Sequence, residues 1–123
     1  MSLKFLKILA ISFLIYSNAF AQSNIFLKRE FWKTYPTPEE IDKKIAEGHS
    51  PSEANIYNFD AVVYAILENV PNPTIVHLLS KKGNGVNKLT HDGRTYIFWA
   101  AYKGNDNLMA ILLKRGAKTD IID

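Results

Sequence analysis

Apolar residues recur along this chain at helical spacing in short blocks, and glycines separate the blocks. The most regular stretch is "TYIFWAAYKGNDNLMAILLKRGAKTD", residues 95–120. Thr95 is placed to accept the first backbone donors of a helix carrying Ile97, Phe98, Ala100 and Ala101, and Gly104 stops it. Asn105 is a second N-cap, followed by a broad apolar face of Leu108, Met109, Ile111, Leu112 and Leu113. Gly116 closes that helix in the left-handed conformation that glycine adopts most cheaply. The stretch predicts two antiparallel helices of about nine residues each, given ordinary cap and period rules.

The same object occurs upstream. Asn72-Pro73 starts a helix with Ile75, Val76, Leu78 and Leu79, ended by Gly83. Thr37-Pro38-Glu39-Glu40 starts another with Ile41 and Ile45, ended by Gly48. Thr37 and Glu40 are spaced as a capping box, and proline follows the cap in both. Cap and glycine are 11 residues apart each time, at 37 to 48, 72 to 83 and 105 to 116. First helices recur as well. Asp60 caps "AVVYAILE" 35 residues before Thr95, and "NIFLKREFWK" lies about another 35 back, with Asn24 near its cap. Such periodicity predicts an all-α stack of three helix-turn-helix units, about 24–58, 59–93 and 94–123. The first unit diverges most, as an end unit without a preceding neighbour does.

The stretch "NKLTHDGRTYIFWAAYKGNDNLMAILLKRGAKTD" resembles the ankyrin repeat. Gly93, Thr95, Ala100, Ala101, Gly104, Leu112, Leu113, Gly116 and Ala117 match that family's pattern across all of unit three. Unit two matches through Ala65, Asn72, Leu78, Leu79, Gly83, Val86 and Asn87; unit one matches only in its second helix and Gly48. Tyr96 and Phe98 replace the family's proline and histidine, so packing by Phe98 has to substitute for that histidine's hydrogen bonds. Asn58 stands where unit two would have a hairpin glycine, and asparagine tolerates positive φ best among the other residues. The resemblance implies a helical solenoid with short hairpin loops. Ala65, Ala100 and Ala101 then permit close helix approach. The chain reaches "KTDIID" without a polar closing helix, so some of Leu108, Ile111 and Leu112 are expected to be partly bare. Ile121 and Ile122 are expected to fold back over them, or a second copy to pack there.

The N-terminus reads as a removable address. "MSLKFLKILAISFLIYSNAFA" combines Lys4 and Lys7, an apolar run and a small-x-small ending at Ala21, the pattern of a secretory signal peptide. The expected organisation is a signal segment, 1–21, and one repeat domain, 22–123, exported to the periplasm or medium and without stable membrane insertion after cleavage. This changes the charge picture. The chain has 15 basic and 12 acidic residues. Losing Lys4 and Lys7 leaves 13 against 12, so the basic balance carries no argument for nucleic acid. With no cysteine, disulfides, thiolate metal sites, a cysteine nucleophile and lipid attachment at an N-terminal cysteine are excluded.

Candidate chemistry is sparse. His49, His77 and His91 are predicted on surfaces without convergence, so no metal or other cofactor is expected. "GHSPSE" reads as a helix stop and turn rather than a catalytic triad, and "KKGNGVN" lacks the spacing of a phosphate loop. "FWKTYP" has aromatics that could stack on a sugar, against the alternative that Phe31 and Trp32 pack under the first pair. Leu89 and Val86 are expected to pack beside the last hairpin.

The resemblance implies binding through hairpin tips and the exposed positions of first helices. Those are Ile56, Tyr57, Phe59, Leu67 and Glu68 in unit two, and His91, Asp92, Arg94, Tyr102 and Lys103 in unit three. An aromatic anchor beside a polar rim suits a protein partner. The expected function is a non-catalytic protein-protein interaction module. The alternatives are a small exported sugar-binding or hydrolytic protein using the aromatic N-terminal segment, or a piece of a longer array.

Overall fold

The computed structural model describes residues 23–120. The expected signal segment and the expected lid of Ile121 and Ile122 lie outside them. Among the described residues every regular element is helical, so the protein is all-α. The helices are α1 (Arg29–Trp32), α2 (Pro38–Ala46), α3 (Ala61–Leu67), α4 (Asn72–Leu79), α5 (Tyr96–Tyr102) and α6 (Asp106–Lys114), with single 3-10 turns at Ile25–Leu27 and His91–Gly93. None of these helices is long and apolar enough to cross a membrane.

Three helix starts are capped as their sequence predicts. Thr37 accepts from the Glu40 N–H, Asp60 from the Val63 N–H and Asn105 from the Leu108 N–H. Two are not. Thr95 precedes α5 in extended backbone, but its side chain makes no cap bond. Pro71, not Asn72, occupies the cap of α4. Asn72 instead exchanges two amide hydrogen bonds with Asn105, at 3.1 and 2.8 Å, and ties α4 to the start of α6. The predicted first helix also breaks up. Asn24 caps only a 3-10 turn, extended Lys28 interrupts it, and α1 is four residues long.

The helix ends show one device used four times. A backbone N–H reaches back five residues in His49 to Lys44, Val70 to Ala65, Asn105 to Ala100 and Ala117 to Leu112. Each bond needs a left-handed residue before it, supplied by Gly48, Asn69, Gly104 and Gly116. Asn69 therefore does for α3 what Gly104 does for α5, 35 residues later. Gly83 differs from expectation: α4 has already ended at Leu79. Its φ is +93°, and a Cβ there would sit 2.8 Å from the Ser52 Cβ, so it marks a close approach of two loops.

First helices pack in sequence, α1 on α3 and α3 on α5; second helices pack as α2 on α4; α3 also packs on α4, and α5 on α6. The buried core runs through these contacts, from Phe26, Trp32 and Ile41 through Val62, Val63, Ile66, Ile75 and Leu78 to Tyr96, Leu108 and Leu112. Burying each such side chain stabilises the fold by about 1.5–3 kcal/mol. Of the three residues some of which were expected to be partly bare, Leu108 and Leu112 are fully covered. The exposure falls on Ala101, Ala110 and Leu113 instead, while Ile111 is half-buried. Ala65 and Ala100 are buried as close helix contacts require, whereas Ala101 is not. Val86 packs on the core, but Leu89 is 59% exposed rather than packed.

The two loops with candidate chemistry are knitted to each other. Ser50 Oγ accepts from the Ser52 and Glu53 N–H groups, closing the "GHSPSE" turn. Buried Asn84 of "KKGNGVN" donates to the carbonyls of Pro51 and Leu78 at 2.9 and 3.0 Å. Lys88 Nζ donates to Ser52 O at 2.8 Å and Asn84 Oδ1 at 3.4 Å, and it forms a 2.8 Å ion pair with Asp60, whose side chain is fully buried. The Tyr96 hydroxyl donates to the same carboxylate at 2.6 Å. Burial, and then the charge of Asp60, push the Tyr96 hydroxyl well above its ordinary pKa, so it stays a donor. His49, expected on the surface, is buried and accepts from the Ile25 N–H through Nδ1 at 3.0 Å.

On the second-helix side, Asp42 receives hydrogen bonds from Lys81 Nζ and His77 Nε2, both at 2.8 Å. Lys81 first, then His77, hold its carboxyl below the usual range.

Candidate binding cleft

The cleft is built by two loops of the same design, 35 residues apart. In the first, Asn55 Oδ1 accepts from the N–H groups of Tyr57 and Phe59, both at 3.0 Å. Asn58 takes the left-handed conformation there, φ +64°, as its place in the repeat predicts. In the second, Thr90 and Arg94 pair through backbone, and Gly93 occupies the position equivalent to Asn58. The loops are cross-linked. Asn58 Nδ2 donates to Leu89 O at 3.3 Å, and His91 Nδ1 lies 2.7 Å from Tyr57 O. A carbonyl can only accept, so His91 carries its proton on Nδ1, the opposite tautomer from His49.

The His91 ring lies flat on Phe59, with centroids 4.5 Å apart and planes 15° apart. Phe59 also stacks on Tyr64 at 5.6 Å and meets Trp99 at 5.9 Å. Trp99 is fixed by a 2.8 Å bond from its indole N–H to Thr90 Oγ1. The Arg94 guanidinium lies 5.7 Å from the centre of the Trp99 ring, within cation-π range, and Tyr102 meets that ring edge-on.

These residues line an open cleft of about 610 Å³, shared by Arg29, Phe59, Leu67, His91, Arg94, Phe98, Trp99, Tyr102 and Lys103. The wall is aromatic and apolar. Its three fixed charges are all positive, and no carboxylate lines it. Glu68 and Asp92 stand just outside: Glu68 pairs with Arg29 at 3.3 Å, and Asp92 lies 3.9 Å from Arg94.

Six residues expected from the sequence therefore converge, namely Phe59, Leu67, His91, Arg94, Tyr102 and Lys103. Glu68 holds Arg29 rather than facing the cleft. Ile56 and Tyr57 project from the first loop, 90% and 64% exposed, outside the cleft wall. Arg29, Phe98 and Trp99 went unforeseen. The repeat itself carried a sign of two of them. Arg29, Tyr64 and Trp99 are spaced 35 residues apart, so they occupy one position in successive first helices. Their neighbours on the next turn, Trp32, Leu67 and Tyr102, run from fully buried to exposed along the same line.

The cleft beside the N-terminal segment, about 510 Å³, is lined by Ser23, Asn24, Leu27, Lys28, Gly48, His49, Ser50 and Glu53, and none of Phe26, Phe31 and Trp32 lines it. Phe26 and Trp32 are fully buried, Phe31 packs edge-on against both, and the Trp32 indole N–H donates to Phe26 O at 2.9 Å. No group of three metal-ligating side chains occurs among the described residues. The chain matches no protein-family model and has no significant similarity to a curated protein.

Proposed function

We propose that this chain is an exported, non-catalytic interaction module of ankyrin-like design that binds a protein partner across the cleft between its loops and first helices. The observation that carries the reading is the convergence of Phe59, Leu67, His91, Arg94, Tyr102 and Lys103, drawn from two repeats, on one aromatic cleft. Sequential packing of first helices and the four identical helix ends support a stack of related units. A cleft walled by stacked aromatics with cations at its edge has the composition of a protein-binding hot spot. Export rests on the charged, apolar and small-residue pattern of residues 1–21.

A photo-crosslinking amino acid at position 102 tests the reading in the cells that make the protein. The expected result is a discrete crosslinked partner, recovered from the periplasm or medium and lost when Phe59 is replaced by Ala. The same crosslinker at Lys114, on the exposed surface of α6, is the control. Identical products from both positions would remove the cleft as the binding site.

A second reading concerns the last unit. Val63, Ile66 and Leu78 are fully buried in unit two, but their register equivalents Phe98, Ala101 and Ile111 are half-buried or exposed. This favours self-association through the end face. Light scattering across a concentration series checks it, and a monomer at high concentration refutes it.

A further inference from the structure

The charge in the cleft is not a reflection of the whole chain. Outside residues 1–21 basic and acidic residues nearly balance, yet the cleft wall holds three cations and no acid. Arg29 is matched by Glu68, and Arg94 lies against Trp99 with Asp92 nearby. Lys103 is half-buried, and its ammonium has no hydrogen-bond or ion-pair partner among the described residues. An ammonium without a counter-ion at the edge of an apolar wall gains a charge-assisted hydrogen bond from an incoming carboxylate. Beside it, Phe59, Trp99 and Tyr102 form a surface for an apolar side chain. The exposed Ile56 and Tyr57 extend the apolar track onto the loop that His91 anchors. A ligand reaching all of these is an extended segment rather than a single small molecule.

We propose that the cleft takes an extended acidic peptide segment, one of whose carboxylates meets Lys103 and Arg94 while a neighbouring aromatic or leucine side chain enters between Phe59, Trp99 and Tyr102. This rests on the reading of the cleft as a protein-binding site and names the partner's chemistry.

The test measures anisotropy of labelled peptides of about 12 residues against the purified protein, in three compositions: acidic with aromatics, basic with aromatics, and acidic without aromatics. The acidic-aromatic peptide should bind at least about tenfold tighter than either other, and raised salt should weaken it. Lys103→Glu should lower its affinity about tenfold, Lys103→Arg should retain it, and Lys114→Glu should change nothing. Unchanged thermal midpoints keep the comparison valid. Equal or tighter binding of the basic peptide, or indifference to Lys103→Glu, overturns the proposal. A random peptide library separates the two levels of the argument. Non-acidic binders that Tyr102→Ala abolishes would overturn the charge assignment and leave the binding site standing. Retention of heparin or polyphosphate with no peptide retained would overturn both.

Discussion

Phe59 and Asp60 are neighbours in sequence but belong to opposite kinds of environment. Asp60 enters a closed polar cluster. Its Oδ1 caps α3 through the Val63 N–H, and its Oδ2 takes the Tyr96 hydroxyl and the Lys88 ammonium. Lys88 in turn has three donors and three acceptors, Asp60, Ser52 O and Asn84 Oδ1. Phe59 enters the cleft, where stacking satisfies the rings but the Lys103 ammonium has no partner among the described residues. Both regions bridge units two and three. One completes its hydrogen bonds within the chain, and the other leaves charge and aromatic surface for something outside. Chemistry directed inward marks a structural device, and chemistry left incomplete at a surface marks a site.

The comparison breaks most visibly at Asp60. Asp60→Ala leaves a largely buried ammonium, an unpaired tyrosine hydroxyl and an uncapped helix. Loss of one partner from a buried ion pair costs about 3–5 kcal/mol. Urea unfolding should show that loss, and Lys88→Met should approach it because the carboxylate then remains buried. A change below about 1 kcal/mol in both would mean that the cluster opens to water in solution, removing the contrast with the cleft.

Gly83→Ala tests the same joint through backbone rather than charge. The residue must hold φ +93° and admit a Cβ 2.8 Å from the Ser52 Cβ. We expect destabilisation of about 2 kcal/mol, against about 1 kcal/mol for Gly93→Ala, which has positive φ but open space. Equal effects at the two positions would show that the Ser52 loop yields and that only conformation matters.

Thr95 is the exception that sharpens the rule. It is fully buried and its Oγ1 has no hydrogen-bond partner, although the helix it precedes offers free donors. A buried hydroxyl without a partner costs about 1–3 kcal/mol. Thr95→Val preserves the shape and removes that atom, so it should stabilise the protein by about 1 kcal/mol in the same unfolding measurement. Destabilisation would show that a water completes the hydroxyl.

Local hydrogen bonds were the readable part of this fold. Asp60, Thr37 and Asn105 announce their helices because a cap bond joins residues three apart, and the left-handed helix ends depend on one residue each. Asp60 looks the same in sequence whether its second oxygen meets water or Lys88, 28 residues away. Lys88, Asn84 and Ser52 look like ordinary loop residues for the same reason: their partners are long-range. Asn72 was misread because two asparagines one repeat apart can pair with each other as well as cap. In the cleft, the repeat register brings Phe59, Leu67, Arg94 and Lys103 to one wall, since equivalent positions face the same way. It missed Arg29 because unit one breaks its helix at Lys28, and Trp99 because a large aromatic at helical spacing reads as core. Trp99 is indeed mostly buried; its remaining edge lines the cleft.

The smallest stability effect belongs to the cleft itself. Tyr102 is 76% exposed and keeps only an edge contact with Trp99, and the Lys103 ammonium has no hydrogen-bond or ion-pair partner among the described residues, so unfolding breaks little at either side chain. Tyr102→Ala with Lys103→Glu should therefore shift unfolding by less than about 0.5 kcal/mol, the ordinary range for surface positions. Combined with Asp60→Ala, the effects should add, because the cleft pair shares no bond with the Asp60 cluster. Additivity together with lost partner binding would separate the two regions by function although both bridge the same units. A large non-additive term would instead mean that the loop carrying Phe59 and Asp60 transmits strain between them, and that the cleft's shape depends on the buried ion pair.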